Sequence, residues 1–277
     1  MHFLGVDLAW ADGGHANETG LVYLDPDGVI LAAGWTRGVE DTVAWIDAHV
    51  NAPNVLAFVD APLVITNATG QRLCERQVGQ CYGRWLVSAN STNTTHPNAA
   101  GAALLARMQA VGWLYDSGMD GPARSGRRIS ECYPYTTLVG AHEFGYGVAR
   151  PTYKRKPRAV AASQWRATRA ATCDDLILRL AKLAQAEPRL DLGSHPVTAA
   201  LLLEPSPLAD RAYKHREDLI DAVLCAWTAR LWSRYGFTRC QVLGDQDGEP
   251  ALAATIIAPS QWDQRLASVS TALPSHG

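Results

Sequence analysis

The stretch Phe3-Leu4-Gly5-Val6-Asp7-Leu8-Ala9-Trp10 reads as an apolar β-strand with one carboxylate in its middle. Burying a carboxylate without a partner is costly, so such a residue is usually paired or bound to a metal ion. Asp60 ends a second apolar strand, residues 55–60, and a late helix carries Asp218 and Asp221 three residues apart. That spacing puts the helical pair on one face. If this face crosses the ends of both strands, the four carboxylates converge.

Converging carboxylates are typical of sites for hard divalent cations such as Mg²⁺ and Mn²⁺. Two such ions, about 3.5–4 Å apart, activate a water molecule and stabilise the leaving oxygen of a phosphodiester. The sequence therefore predicts two Mg²⁺ or Mn²⁺ ions, bound by Asp7, Asp60, Asp218 and Asp221. Purely structural roles stay open for these acids, because a strand-end aspartate is common in turns and an acidic pair near a helix N-terminus complements the helix macrodipole. The mid-strand position of Asp7 favours the metal site.

The composition indicates a protein with a large apolar core. The chain has 277 residues, of which 47% are hydrophobic and 19% charged, with a net charge of −2 and a pI of about 6.4. Such a chain is long enough for one large α/β domain or a domain with a substantial insertion, and its overall charge does not indicate nucleic-acid binding. The six cysteines form no C-x-x-C motif and are expected to act as small hydrophobes. With neither a signal peptide nor an apolar run of about 18 residues, we expect a cytoplasmic protein.

Hydrophobic periodicity and turn residues predict a β-β-β-α-β order at the start of the chain. The predicted strands there are 3–10, 19–24, 29–36 and 55–60, with a helix at about 40–49. The later patterns predict helices at 71–86, 99–115, 159–170, 172–186 and 214–235, and strands at 127–133, 240–243 and 251–257. We therefore predict a single domain over residues 1–263, with a helical and loop insertion at about 64–126, a basic loop at 145–158 and a loose tail at 264–277.

These patterns resemble the RNase H-like superfamily, and most closely its family of predicted nucleases called domain of unknown function 429. Six blocks carry the resemblance in the family's order: Gly5-Val6-Asp7-Leu8-Ala9-Trp10, Val59-Asp60-Ala61-Pro62-Leu63, Arg72-Leu73-Cys74-Glu75-Arg76, Glu131-Cys132-Tyr133-Pro134, His215-Arg216-Glu217-Asp218-Leu219-Ile220-Asp221-Ala222 and Ile256-Ile257-Ala258-Pro259. The pair Asp218 and Asp221 is also similar to the last-helix motif of RuvC-type junction resolvases. The resemblance implies an α/β fold, with a mixed sheet whose first three strands are antiparallel and whose fourth and fifth are parallel, flanked by helices. It also implies a nuclease.

Two further residues are candidates for the same catalytic site. Glu131 would act as an outer metal ligand or orient a water molecule; alternatively, it is a strand-end carboxylate with a solvent or backbone partner. His215 lies three residues before Asp218 and would assist proton transfer, or it is simply a polar residue near the start of the helix. The sequence leaves both sets of alternatives open.

A cationic run is the candidate contact for nucleic acid. Within residues 150–158 there are five cations: Arg150, Lys154, Arg155, Lys156 and Arg158. Such a run would neutralise phosphates of a DNA or RNA backbone, and Tyr153 inside it is compatible with base stacking. The run is equally compatible with an ordinary solvated loop.

Three classes of function follow from these features. The first is a metal-dependent nuclease that hydrolyses phosphodiester bonds of DNA or RNA. The second is an actin-like sugar kinase or other phosphotransferase, which shares the core. This class is disfavoured because such proteins carry the pattern D-x-G at the first aspartate, whereas Leu8-Ala9-Trp10 follows Asp7 here. A second Gly-rich phosphate-binding turn is also missing. The third is a catalytically idle binding protein on the same scaffold, since one fold hosts many activities.

Overall fold

A six-stranded mixed sheet forms the centre of the protein. The computed structural model describes residues 1–9, 17–95, 100–154, 156, 160–245, 249–250 and 253–266. The strands of the main sheet are β1 (His2–Asp7), β2 (Glu18–Leu24), β3 (Ile30–Arg37), β4 (Val55–Val59), β5 (Leu114–Tyr115) and β6 (Arg127–Glu131). Their order across the sheet is β3-β2-β1-β4-β6-β5. The first three are antiparallel and the rest run parallel to β1, so the predicted RNase H-like fold class is confirmed.

Helices cover both faces of this sheet. They are α1 (Gly38–His49), α2 (Leu73–Tyr82), α3 (Ala100–Ala110), α4 (Pro134–Gly140), α5 (Ala162–Lys182), α6 (Pro196–Leu203) and α7 (Asp210–Tyr235). One face packs against α1 and α3, and the other packs against α2, α4, α5 and α7. A two-stranded antiparallel sheet, β7 (Cys240–Gly244) and β8 (Thr255–Pro259), lies on the second face and continues from β6 through a bridge between Cys132 and Ile257. Burial on two faces explains why β4 is an unbroken apolar run.

Helix α7 lies so close to the sheet that its backbone approaches the backbone of two strands. It lies against β1, β2 and β4, and its buried side includes Leu219, Val223 and Trp227, as the sequence predicts. Two sheet glycines make this approach possible. A Cβ atom at Gly5 would overlap the carbonyl oxygen of Ala222, and one at Gly20 would overlap the carbonyl oxygen of Asp218.

Several predicted element boundaries are wrong. The helix predicted at 99–115 ends at Ala110, because Gly112 adopts a φ of +91° and the chain turns into β5. The helices predicted at 159–170 and 172–186 form one continuous helix, α5. The strand predicted at 127–133 stops at Glu131, and Pro134 begins α4 as its first helical residue, where a missing N–H costs nothing.

The end of the described chain is more tightly held than a loose tail. Gln264 is fully buried and its side-chain amide donates to the carbonyl of Val139 at 2.9 Å. Arg265 donates to the carbonyls of Phe237 and Thr238. The rest of the predicted tail, residues 267–277, lies outside the described residues. Among the helices of the described ranges, none combines the length and the apolarity needed to cross a bilayer.

Candidate metal centre

The strands that carry Asp7 and Asp60 lie side by side and run in the same direction. Asp7 is the last residue of β1, and Asp60 follows β4, where its backbone N–H donates to the carbonyl of Val6 at 2.8 Å. Helix α7 crosses both strands and supplies Asp221. One carboxylate oxygen from each of Asp7, Asp60 and Asp221 lies within 4.8 Å of the other two. The structure therefore brings three of the four predicted acids together.

Two residues of the loop that precedes α5 contact the buried carboxylate of Asp221. Tyr153 donates its hydroxyl hydrogen to Oδ1 at 2.6 Å, and the ammonium group of Lys154 contacts Oδ2. Tyr153 is fully buried, and its backbone carbonyl accepts a hydrogen bond of 2.6 Å from the Tyr213 hydroxyl of α7. Tyr153 is thus a core residue, and its ring cannot stack on a base as the sequence suggested.

Asp218 is also buried, but it is paired separately. Its Oδ1 lies 2.5 Å from the ammonium nitrogen of Lys214, one helical turn earlier, and Lys214 also donates to Glu217 at 2.9 Å. Burial raises the pKa of Asp218 to about 6, against the lowering effect of Lys214. Asp218 lines the same cavity as Asp7 and Asp60 but lies outside the three-carboxylate cluster.

Burial also raises the pKa values of the other acids. The pKa of Asp7 lies well above its usual range because of burial and, next, the neighbouring Asp221. Burial raises the pKa of Asp60 to about 7, although the charge of Lys154 opposes the shift. Burial would by itself lower the pKa of Lys154, but Asp221, Asp60 and Asp7 together raise it well above its usual value. Burial therefore disfavours the charged forms of these acids, and a bound cation would favour them.

The donor atoms fit a hard divalent cation. The clustered ligand atoms are carboxylate oxygens, which Mg²⁺ and Mn²⁺ prefer. In the described chain, Asp218 Oδ2 is buried without a hydrogen-bond partner, whereas Asp221 Oδ2 is contacted by the Lys154 ammonium. Buried carboxylate oxygens of this kind are rare unless another charge satisfies them.

Glu131 forms an ion pair with Arg72. Arg72 donates to both of its oxygens, at 2.6 and 2.8 Å, and the backbone N–H of Leu63 donates to Oε2 at 3.1 Å. Arg72 also bonds Glu75 at 2.9 Å, and all three charged side chains are buried. A buried guanidinium needs such acceptors, so Glu131 acts here as a structural anion. Of the two alternatives left by the sequence, the geometry favours the carboxylate with a backbone partner over the outer ligand.

His215 pairs with a residue of the sheet. Its Nδ1 lies 2.5 Å from Glu18 Oε2, and its ring stacks on Trp35 with centroids 3.6 Å apart. Trp35 in turn donates its indole N–H to the backbone carbonyl of His215 at 2.8 Å. These contacts hold the imidazole at the rim of the acidic site, away from the three-carboxylate cluster.

The cationic run is divided between different environments. Lys154 enters the acidic cluster, whereas the guanidinium of Arg150 lies 4.3 Å from the centre of the Tyr135 ring and donates to the carbonyl of Leu86. Lys156 is exposed and donates to the carbonyl of Val160 at 3.1 Å. The remaining two predicted contacts, Arg155 and Arg158, lie outside the described residues.

A cavity of about 370 Å³ gives access to the acids. Its lining includes acidic, basic and aromatic side chains, namely Asp7, Asp60, Asp218, Lys154, Lys214, Tyr133 and Tyr135. A neighbouring cavity of about 330 Å³ shares Lys214 and Asp218 and adds Arg37, Arg211 and His215. A larger, mostly apolar cavity of about 730 Å³ between α6 and α7 has none of the four aspartates in its described lining.

Sequence reasoning did not assign a role to Lys214, Tyr133 or Tyr135. The position of Lys214, four residues before Asp218, was a readable signal, because residues at this spacing meet on a helix. The two tyrosines carried no signal of their own, since their place in the cavity depends on how α4 packs beside the strands.

Comparison with known proteins gives one match. A family model described as "Protein of unknown function (DUF429)" matches residues 5–246. No curated protein and no solved structure matches the chain.

Proposed function

We propose that this chain, which belongs to the DUF429 family of proteins of unknown function, is a metal-dependent nuclease that hydrolyses phosphodiester bonds of nucleic acid. The observation that carries the proposal is the set of three carboxylate oxygens, from Asp7, Asp60 and Asp221, within 4.8 Å of one another. Asp7 and Asp60 lie at the ends of two parallel strands and line a cavity of about 370 Å³, and Asp221 reaches them from helix α7.

Mg²⁺ or Mn²⁺ is the expected cofactor. When bound, the ion polarises a phosphoryl oxygen and lowers the pKa of a water molecule. Asp7, Asp60 and Asp221 would hold it. Asp218 lines the cavity, and it would accept a hydrogen bond from the attacking water.

The surroundings of the acids support a polyanionic substrate. Lys214 lines both cavities, and Arg211 of the second cavity adds a guanidinium group, so either cation would contact a phosphate next to the reacting one. The rings of Tyr133 and Tyr135 line the first cavity, where a base would stack on either of them. The exposed Lys156 would add a contact further along the strand.

The test is cleavage of labelled single-stranded, duplex and branched DNA and RNA, with Mg²⁺, with Mn²⁺ and with a chelator. We expect cleavage with either ion and none with the chelator. Asp7→Asn should reduce the rate at least about 100-fold, because the ion's contribution amounts to several kcal/mol of transition-state stabilisation.

Asp47→Asn is the matched control, since Asp47 is exposed on α1. It makes the same chemical change and should leave the rate unchanged. Equal cleavage by Asp7→Asn and wild type would place the activity elsewhere. Failure of the wild type to cleave any of these substrates with either ion would contradict the proposal.

A further inference from the structure

Two lysines of the site pair with Asp218 and Asp221 of α7. A second ion would have to share the carboxylates of α7, Asp218 and Asp221. The ammonium groups of Lys214 and Lys154 already contact these two acids, one each. In the described chain, only one group of three acidic side chains is close enough to hold an ion.

Lys154 is fixed in this position by its surroundings. Only 17% of its side chain is exposed, and its ammonium nitrogen lies 5.3 Å from the centre of the Tyr135 ring and 5.5 Å from that of Tyr153. Both distances are in the range of cation–π attraction. The backbone of Tyr153 is tied to α7 by the Tyr213 hydroxyl, so the loop cannot shift without breaking a buried hydrogen bond.

The local charges agree with a single ion. The cluster contains three carboxylates, and one ammonium group, that of Lys154, lies against them. Their sum is −2, which one divalent cation balances. The Lys214 ammonium is shared between Asp218 and Glu217, and this separate group sums to −1.

We infer that the site binds one divalent cation, and that the ammonium group of Lys154 supplies the second positive charge in place of a second ion. This inference rests on the proposed function, because it assumes that the carboxylate cluster binds metal. It replaces the two ions expected from the sequence with one ion and a fixed lysine. In the substrate complex, Lys154 would then contact a phosphate oxygen.

The experiment is a titration of the full chain with Mn²⁺, followed by calorimetry and by electron paramagnetic resonance. We expect one Mn²⁺ per wild-type chain and the spectrum of an isolated ion. Lys154→Met should bind a second Mn²⁺ or bind the first at least about tenfold more tightly, because it removes a positive charge a few ångströms from the ion. Lys154→Arg keeps the charge and should bind one ion, as the wild type does.

Lys182→Met is the matched control, because Lys182 is exposed in the last turn of α5. It should bind Mn²⁺ like the wild type. Two spin-coupled Mn²⁺ ions in the wild-type chain would overturn this inference and leave the proposed function standing. A Lys154→Met chain with wild-type stoichiometry and affinity would overturn the role of Lys154. A wild-type chain that binds no Mn²⁺ would remove the proposed function as well.

Discussion

At the scale of single residues, the burial of the aspartates couples the stability of the protein to pH. Folding raises the pKa of Asp60 to about 7 and that of Asp218 to about 6. In the unfolded chain an aspartate titrates near about 4. Between pH 4 and 7 the native state therefore holds protons that the unfolded state has released, and stability falls as the pH rises through this window.

The corresponding prediction concerns Asp60→Asn without metal. Wild-type stability should fall between pH 4 and 7, and the variant should lose part of this slope, at most about 1.4 kcal/mol per pH unit for the one proton removed. Urea unfolding at four pH values in chelator measures both slopes. Identical slopes for the two proteins would show that Asp60 titrates normally.

The site residues that could be predicted from the sequence are those with a signal in their immediate sequence neighbourhood. Asp7 stood out because a carboxylate is unusual in the middle of an apolar strand, and α-helical geometry placed Asp218 and Asp221 on one face. Lys154 could not be placed in the same way. Its contact with Asp221 joins a loop to a helix 67 positions later, a distance that no local pattern encodes.

At the scale of elements, the position of α7 depends on two glycines of the sheet, Gly5 and Gly20, which have no Cβ atom. Gly5→Ala would put a methyl group against the backbone of α7 at Ala222 and Ala226. We expect a loss of about 3 kcal/mol in the free energy of unfolding, at the upper end of overpacking costs, because backbone cannot move aside as a side chain does. The shift of α7 should also weaken Mn²⁺ binding, since it separates Asp221 from Asp7.

Gly79→Ala is the control for this prediction. Gly79 lies inside α2, and a Cβ atom there would meet nothing within 4 Å. This change should stabilise the protein by about 0.5–1 kcal/mol, because alanine is the better helix former. Chemical denaturation and calorimetric Mn²⁺ titration of both variants supply the test. A Gly5→Ala protein as stable as the wild type would contradict the close packing of α7.

Hydrophobic periodicity predicted most of the helices and strands, but it predicted the residues at which they begin and end less well. The meander β1–β3, α1 and β4 follow from alternation and turn residues, and α7 follows from its apolar spacing. The break predicted near residue 171 does not exist, because Ala170, Ala171 and Thr172 continue α5 without a terminating residue. Strand β5 was missed because two residues are too few to show a period.

At the scale of the whole molecule, metal binding should raise the melting temperature. An ion that binds only the native state, at about 100 times its Kd, stabilises by about 2.7 kcal/mol, which corresponds to a shift of roughly 5 °C or more for a chain of this size. Differential scanning calorimetry with and without Mn²⁺ measures the shift. Asp7→Asn should abolish it, and Asp47→Asn should keep it. A full shift in Asp7→Asn would mean that the ion binds elsewhere.

The order of the elements along the chain has a consequence for biosynthesis. Asp221 lies in α7, the last α-helix of the described residues, and it is translated more than two hundred residues after Asp7. Until α7 has emerged, β1 and β4 have no helix to cover them on one face, and no acid cluster exists. The acid cluster therefore cannot assemble until translation has passed α7, however early Asp7 and Asp60 have been made.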